Sequence, residues 1–333
     1  MVGDVIAHPP GQGKKAPVPC DPVNHPVVAA WLSLPDPRKP DQVDRIRKKE
    51  KAQVYRLGFQ EAETRVIAKR GRTEHLLVER TIYESILPRL TLPALRYYGF
   101  VREEDDEYSW LFIEDAGDVP CRLGQDEVVA GRWLGTLHGG AAALELASSL
   151  PIRGAEHYRG HLRGARTTIL GSLRNPALSP DDRGVLRGLV SSCDLIESRW
   201  SGVEAICDGL PHTLVHGDLA PPNLRLRHDG AGTAIVAFDW EWSGWGIPAV
   251  DVYQLARGGT ENALRSYHSA ISEYTDAVDG DQIRSLSLVG AGFRLLASVD
   301  WASTHLPLPR PESGMASLSV LDQPLREWGQ RLA

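Results

Sequence analysis

The sequence LVHGDLAPPNLRL, residues 214–226, places a histidine, an acid and an amide within eight positions and interrupts the chain with two prolines. Proline fixes the backbone angle φ near about −65°, so Pro221 and Pro222 should stiffen the chain between Asp218 and Asn223. The stretch is therefore interpreted as a turn that holds an acid and an amide at a set separation.

The residues after this turn have the pattern of an antiparallel hairpin. Leu224–Arg227 alternates apolar and basic residues, Asp229-Gly230 can form the turn, and Thr233–Phe238 returns. Because a hairpin returns its second strand beside its first, acids that follow the second strand should lie near Asp218 and Asn223.

Two acids, Asp239 and Glu241, follow that second strand. Carboxylate and amide oxygens are hard ligands that suit Mg²⁺, which usually takes one or two carboxylates and completes its coordination with phosphate and water. A further acid could then remain unligated and serve as a base. Taken singly, Asp218 could equally cap a turn and Asp239 could end a strand in an ion pair.

Composition limits the possible classes of protein. With 333 residues, 42% hydrophobic and 24% charged, the chain should form about two globular domains. A net charge of −6 does not suit nucleic-acid binding, in which basic residues neutralise phosphates and so release counterions from the nucleic acid. We expect a cytoplasmic protein, since no run of about 20 apolar residues and no signal-peptide pattern is present. The four cysteines form no C-x-x-C pair, so neither a zinc site nor a redox motif is indicated.

The hydrophobic pattern predicts an α+β protein with three parts. Residues 1–40 are proline-rich and should be an irregular leader, residues 41–116 a small antiparallel sheet with one helix, and residues 117–333 a larger, mostly helical lobe. The helix should begin near Thr73 and end near Pro88. The assigned strands of the small lobe are Val43–Ile46, Ala52–Phe59, Glu63–Arg70 and Trp110–Glu114, with one more strand before the last.

The motifs together resemble those of the aminoglycoside phosphotransferase-like small-molecule kinases, which include choline kinase and share the protein-kinase fold. The matching segments are His216-x-Asp218-x-x-x-x-Asn223, Phe238-Asp239-Trp240-Glu241 and Gly246-x-Pro248-x-x-Asp251. The resemblance implies a bilobal fold, an ATP- or GTP-dependent phosphotransfer to an alcohol, and Asp218 as the catalytic base. It further implies that Asn223 and Asp239 hold Mg²⁺ and that His216 and Asp251 have structural roles.

The resemblance also implies nucleotide-binding residues in the small lobe. Lys69 would bind the α- and β-phosphates and Glu79 would hold that lysine, with Glu74 and Glu84 as alternatives. Backbone groups of Glu114 and Ala116, in the hinge sequence WLFIEDAG, would bind the nucleobase. The loop that covers the phosphates is usually rich in glycine, but here it is Arg47-Lys48-Lys49-Glu50-Lys51. Lys48 and Lys51 could replace backbone amides there, or the segment could be a solvated charged turn.

The acceptor is less well defined by the sequence. Glu241, Trp242 and Trp245 follow the metal aspartate and could contact a substrate, because indoles offer flat apolar surface with N–H donors; core packing is the competing interpretation. An antibiotic of the aminoglycoside, nucleoside or macrolide type is the expected acceptor. A metabolic kinase for a sugar, a choline-like alcohol or homoserine, and a nucleotide-binding pseudokinase, remain as alternatives. We expect no nucleic-acid or membrane partner, and a monomer or homodimer.

Overall fold

The computed structural model describes residues 17–332, apart from residues 36, 50, 51, 61, 145, 147, 148, 231 and 277. The first part of the described chain is an antiparallel sheet in the order β1-β2-β3-β4-β6-β5. Its strands are β1 (Val18–Cys20), β2 (Gln42–Lys49), β3 (Ala52–Phe59), β4 (Ala62–Arg72), β5 (Tyr97–Arg102) and β6 (Tyr108–Glu114). The strands expected from the sequence are present, and β2 and β4 are longer at both ends.

The two faces of this sheet are covered by different elements. Successive side chains of a strand point to opposite faces, so in β6 Trp110 and Phe112 enter one apolar cluster while Leu111 and Ile113 enter another. The first cluster is covered by helix α1 (Pro26–Leu32), whose Trp31 packs against Phe112.

The prediction that residues 1–40 form an irregular leader is therefore wrong for its described part. Strand β1 pairs with β2, and α1 buries Val27, Val28 and Trp31 against the sheet. A seven-residue helix is too short to show a convincing period in the sequence, and its burial depends on a sheet formed later in the chain. Residues 1–16 lie outside the described residues.

The helix of the small lobe is less regular than the sequence indicated. Helix α2 spans Thr73–Thr81 and continues as a π-helical turn, Ile82–Ile86, and a 3₁₀ turn, Leu87–Arg89. Pro88 thus lies inside the final turn, at a position where its missing N–H is not needed.

The remainder of the described chain is mostly helical. Its helices are α3 (Glu127–Ala142), α4 (Ala155–Ser172), α5 (Pro180–Ser198), α6 (Trp200–Cys207), α7 (Ala249–Gly258), α8 (Glu261–Ile271), α9 (Gly280–Ser303) and α10 (Glu312–Arg331). Helices α3 and α8 approach closely because α3 carries Gly131 and Gly135, where a Cβ atom would collide with the backbone of α8. No helix among the described residues is long and apolar enough to cross a membrane.

Two small sheets interrupt the helices and hold the two ends of residues 214–226. Strands β9 (Leu224–Asp229) and β10 (Gly232–Ala237) form the expected antiparallel hairpin, with Leu224 opposite Ala237. Strands β7 (Ile152–Arg153), β8 (Thr213–Val215) and β11 (Gly244–Gly246) form a second sheet in the order β7-β11-β8. The end of β8 and the open end of the hairpin lie on either side of residues 216–223.

Candidate active site

A left-handed glycine shapes the beginning of the loop after β8. Gly217 has φ +76°, a conformation that residues with a Cβ atom rarely adopt. A Cβ atom at this position would also lie 2.5 Å from the backbone oxygen of Trp242. The turn therefore brings Asp218 against the segment that follows Asp239.

His216 is fully buried and its ring holds two parts of the loop together. Its Nδ1 atom accepts a hydrogen bond from the Asp218 amide at 3.3 Å, and its Nε2 atom lies 3.2 Å from the Phe238 carbonyl oxygen. Since a carbonyl can only accept, the proton must be on Nε2 and the ring is neutral. The ring also packs on Trp240, with 4.5 Å between the ring centroids. These contacts are those of a positioning residue.

Asp251, in the first turn of α7, binds the backbone of the same loop. Its Oδ2 accepts the His216 amide at 2.6 Å and its Oδ1 accepts the Gly217 amide at 2.9 Å. The carboxylate is fully buried, so these bonds to a charged group are strong and costly to lose. Asp251 therefore links the start of α7 to the backbone of residues 216 and 217.

A histidine that the sequence analysis missed completes this arrangement. His138, buried in α3, places Nε2 3.3 Å from Asp251 Oδ2 and Nδ1 3.1 Å from the Tyr267 hydroxyl. A histidine among small residues in an apolar helix, as in GTLHGG, was the available signal. Its partners are more than one hundred positions away in sequence, which no local pattern indicates.

Asp218 and Asn223 are in direct contact. The Asn223 side-chain amide donates to Asp218 Oδ2 at 3.1 Å and to the Asp218 carbonyl at 3.0 Å. Residues Pro221–Asn223 form a 3₁₀ turn, so the two prolines lie inside the spacer as expected. The other carboxylate oxygen, Asp218 Oδ1, is 3.6 Å from Nη1 of Arg294 in α9, another residue that the sequence analysis missed.

Asp239 lies beside Asn223 at the open end of the hairpin. The Phe238 amide donates to the Asn223 carbonyl at 3.1 Å, which continues the pairing of β9 and β10 by one step. Asp239 then adopts the left-handed conformation, with φ +69°, which ends the strand and turns the chain. Aspartate tolerates this conformation better than most residues, and the strain is typical of functional positions.

Lys69 and Glu79 connect the small lobe to this end of the hairpin. The Lys69 ammonium in β4 makes ion pairs with Glu79 of α2 and with Asp239, and lies 3.7 Å from Glu241 Oε2. Burial alone would lower the pKa of Lys69, but the carboxylates of Glu79 and Asp239 raise it above its ordinary value. Lys69 is therefore charged whenever these acids are ionised.

The pKa values of the two acids in contact with Lys69 are shifted in opposite directions. Burial raises the pKa of Glu79 to about 7, against the opposing effect of Lys69. Burial is the largest single influence on Asp239 and raises its pKa, but the charge and hydrogen bond of Lys69, with a smaller effect of His216, together leave the pKa below its ordinary value. Of the three glutamates considered from the sequence, Glu79 is the one that contacts Lys69; Glu74 contacts His75 and Glu84 contacts Arg80.

The residues present fit a Mg²⁺ ion that would bind together with nucleotide phosphates. The side-chain NH₂ group of Asn223 donates to Asp218, so the amide oxygen of Asn223 faces away from that bond. Asp239 directly follows Phe238, the residue that pairs with Asn223 across the hairpin. Glu79, Asp239 and Glu241 also bring carboxylate oxygens within 4.8 Å of one another. One or two carboxylates with an amide oxygen are a suitable donor set for this ion.

The remaining residues expected at the nucleotide site have different environments. Glu114 ends β6, and its carboxylate pairs with Arg227 of β9 at 2.9 Å, which ties the hinge to the hairpin. Ala116 follows two residues later, outside any helix or strand. Lys48 is an exposed residue of β2, and Lys51 lies outside the described residues.

The tryptophans after Asp239 divide into core and surface. Trp240 is buried against His216, and Trp245 is only 7% exposed within β11. Trp242 is 49% exposed and is the one with an accessible ring face. Trp242 thus keeps an exposed ring, whereas Trp245 belongs to the core of the helical lobe.

The fold is bilobal and protein-kinase-like, so the predicted α+β class is confirmed, and the family match supports a phosphotransferase with a hydroxyl acceptor. The model of the phosphotransferase enzyme family matches residues 43–284. The chain belongs to this family, as the resemblance in its motifs indicated. No curated protein matches the sequence.

Several solved structures share this fold at low sequence identity. A spectinomycin phosphotransferase is 11% identical, with a TM-score of 0.57 over 88% of this chain and 94% of its own. A macrolide 2'-phosphotransferase from Brachybacterium faecium is 14% identical, with a TM-score of 0.57 over 83% and 90%. A choline kinase from Cryptosporidium parvum is 12% identical, with a TM-score of 0.59 over 92% and 95%.

Proposed function

We propose that the protein transfers the γ-phosphate of ATP or GTP to a hydroxyl group of a small molecule in a Mg²⁺-dependent reaction. The observation that carries the proposal is the meeting of four side chains from three separate parts of the chain. Asp218 contacts Asn223, Asp239 follows one step along the hairpin, and Lys69 reaches Asp239 from the small lobe.

Asp218 would be the catalytic base. It orients the acceptor hydroxyl and takes its proton as the acceptor oxygen bonds to the γ-phosphorus, while the bond from that phosphorus to the bridging oxygen breaks and the nucleoside diphosphate leaves. Asn223 holds the carboxylate in place through Oδ2. Arg294 lies near the other carboxylate oxygen, with its Nη1 3.6 Å from Oδ1.

Asn223 and Asp239 would hold Mg²⁺, which supplies positive charge to the nucleotide phosphates when it is bound. Lys69, positioned by Glu79, would bind the α- and β-phosphates, and the backbone of Glu114 and Ala116 would bind the nucleobase. Lys48 and Lys51 are proposed only as auxiliary phosphate contacts.

The expected acceptor is an antibiotic of the aminoglycoside, nucleoside or macrolide type, with Glu241 and Trp242 at its site. A metabolic kinase for a sugar, a choline-like alcohol or homoserine is the alternative. The choice of acceptor separates these two functions, since their phosphotransfer chemistry is the same.

The proposal is tested by release of nucleoside diphosphate, with ATP and GTP separately, against a panel of hydroxylated antibiotics and metabolites. We expect Mg²⁺-dependent release with at least one acceptor, and expression in a sensitive host should raise the inhibitory concentration of the antibiotic that is phosphorylated. Activity with metabolites alone would support the metabolic kinase. A chain that binds nucleotide without turnover under any condition would instead be a pseudokinase.

Asp218→Ala is the matched variant for the role of the base. Because Asp218 would contact the acceptor and not the nucleotide, we expect turnover to fall at least about 100-fold with nucleotide affinity nearly unchanged. The measurement is turnover together with nucleotide binding by calorimetry. If nucleotide affinity falls along with turnover, the role assigned to Asp218 is wrong.

A further inference from the structure

Two arginines lie beside the residues that flank Asp218. Arg294 of α9 places Nη1 3.5 Å from the Gly217 carbonyl oxygen and 3.6 Å from Asp218 Oδ1. Arg153 of β7 donates from Nε to the Trp242 carbonyl at 3.2 Å, and that carbonyl is the group packed against Gly217. Both guanidinium groups therefore lie close to the loop that carries the proposed base.

The position of Arg153 depends on two glycines. Strand β7 pairs with β11, and a Cβ atom at Gly246 would collide with the Arg153 backbone. A Cβ atom at Gly244 would collide with Cγ of the Arg153 side chain. The aliphatic part of Arg153 thus lies directly on Gly244, which directs the guanidinium toward Trp242.

Arg153 is only partly exposed, yet among the described residues no carboxylate lies within ion-pair distance of it. Its polar partners are the Trp242 carbonyl and Nε2 of His157, at 3.1 Å from its Nη1. Burial and the charge of Arg153 lower the pKa of His157 to about 4, so this histidine is neutral near neutral pH. A guanidinium carries five N–H donors, and two neutral partners do not compensate its charge.

Acidic groups around this pair of arginines are few among the described residues. Asp218 is the carboxylate near Arg294, and Asp300 of α9 is engaged by His161 at 2.7 Å. Tyr158 is buried close enough to both arginines to experience the charge of each. Asp251 also acts on Tyr158, but its carboxylate binds the amides of His216 and Gly217. Arg153 is therefore the member of this pair that has no carboxylate partner among the described residues.

A half-buried guanidinium without a carboxylate partner, such as that of Arg153, repels a polycation and attracts an oxyanion. Guanidinium groups bind carboxylates and phosphates with two parallel hydrogen bonds, which adds geometric selectivity to the charge attraction. Trp242 binds Arg153 through its backbone carbonyl and also has an exposed ring. An acceptor could therefore place an apolar part on this ring and an anionic group on Arg153.

We propose that the acceptor carries an anionic oxygen group, a carboxylate or a phosphate ester, in addition to the hydroxyl that reacts, and that Arg153 and Arg294 bind this group. The inference rests on the proposed phosphotransfer function and narrows it. It excludes polycationic aminoglycosides and cationic choline-like alcohols as preferred acceptors, and it makes Arg153 a determinant of specificity.

The test compares small alcohols that share hydroxyl groups and differ in charge. Glycerol, glycerate and glycerol 3-phosphate form the matched series, with choline and kanamycin as cationic probes. Binding to the full chain is measured by thermal shift in the presence of Mg²⁺ and a nonhydrolysable nucleotide analogue, at constant ionic strength. We expect glycerate or glycerol 3-phosphate to bind at least about tenfold more tightly than glycerol, and the stronger of the two identifies carboxylate or phosphate as the preferred group.

Variants assign the effect to the site. Arg153→Gln should reduce the preference for the anionic probe to less than about threefold, while Arg163→Gln, an exposed arginine of α4 that pairs with Glu197, should leave it unchanged. Arg153→Lys keeps the charge but not the paired hydrogen bonds, so it should retain part of the preference for the anionic probe. This variant tests the inference if the glutamine variant fails to fold.

Two results would overturn the inference. One is equal or tighter binding of choline or kanamycin than of both anionic probes. The other is an anion preference that Arg153→Gln and Arg153→Lys both leave intact. Absence of Mg²⁺-dependent nucleoside diphosphate release would refute the proposed function separately, because the binding measurement does not depend on turnover.

Discussion

Asp251 offers a sharp test of how the loop that carries the proposed base is held. Its carboxylate accepts hydrogen bonds from the amides of His216 and Gly217 and lies within reach of His138 Nε2. Asp251→Asn keeps the shape of the side chain but replaces one acceptor oxygen by an NH₂ group. At least one buried N–H then faces another donor and loses its bond.

The cost follows from these three contacts. A buried donor left unsatisfied costs about 1–3 kcal/mol, and each remaining bond weakens because its acceptor is no longer charged. We therefore expect a loss of about 2–4 kcal/mol in the free energy of unfolding. With 333 residues and an unfolding entropy of about 2.1 cal/mol/K per residue, this corresponds to a decrease in Tm of about 3–6 °C.

Turnover should fall as well. A displacement of about 1 Å in a catalytic group can reduce the rate about 100-fold, and Asp251 determines where residues 216–218 lie. The assay combines Tm by differential scanning fluorimetry with Mg²⁺-dependent nucleoside diphosphate release. Asp194→Asn is the control. Asp194 lies in α5, is half-exposed and pairs with Arg166 of α4, so this substitution should change Tm by less than about 1 °C. An Asp251→Asn protein with the Tm and turnover of the wild type would refute the reasoning.

Three further variants test neighbouring parts of the site. Gly217→Ala should destabilise the protein by about 1–3 kcal/mol and abolish turnover, because alanine is strained at φ +76°, whereas Gly184→Ala in the open surface of α5 should be neutral or stabilising in the same denaturant titration. In the wild type, nucleotide-dependent activity should fall as pH decreases through about 7, where Glu79 takes up a proton and weakens its ion pair with Lys69; Glu79→Gln should lack this decline, and an identical pH–rate profile for both proteins would contradict the assignment. The same raised pKa means that the folded state binds more protons than the unfolded state between about 4.5 and 7, so the contribution of Glu79 to stability decreases as pH rises through this range. Asp239→Ala should remove both nucleotide binding and turnover, and retained Mg²⁺-dependent nucleotide affinity in calorimetry would show that Asp239 is not a metal ligand.

The sequence was most informative where function depends on residues that are close along the chain. The spacing of Asp218 and Asn223, the two prolines between them and the hairpin that follows are local features, and the structure brings these residues together with Asp239. The strands of the small lobe were visible for the same reason, since alternation within a strand reflects which face of the sheet is buried.

The sequence was least informative where a residue acts through a distant partner. His138 supports Asp251 from another helix, and Arg294 approaches Asp218 from α9. The short helix α1 showed no clear period and becomes stable by covering one face of the sheet. Such contacts depend on how helices and sheets pack against each other, which the local pattern does not encode.

The sequence by itself determined the kinase-like class of the protein, because the motifs that carry the family resemblance are short, ordered segments whose spacing follows from backbone geometry. The tertiary structure alone decided which glutamate pairs with Lys69, which tryptophan remains exposed, and where Arg153 and Arg294 lie relative to Asp218. The charged groups near Asp218 and Trp242 come from β7, α4 and α9, and these elements meet only after the helices pack. For that reason the phosphotransfer chemistry could be predicted from the motifs, whereas the anionic character proposed for the acceptor required the fold.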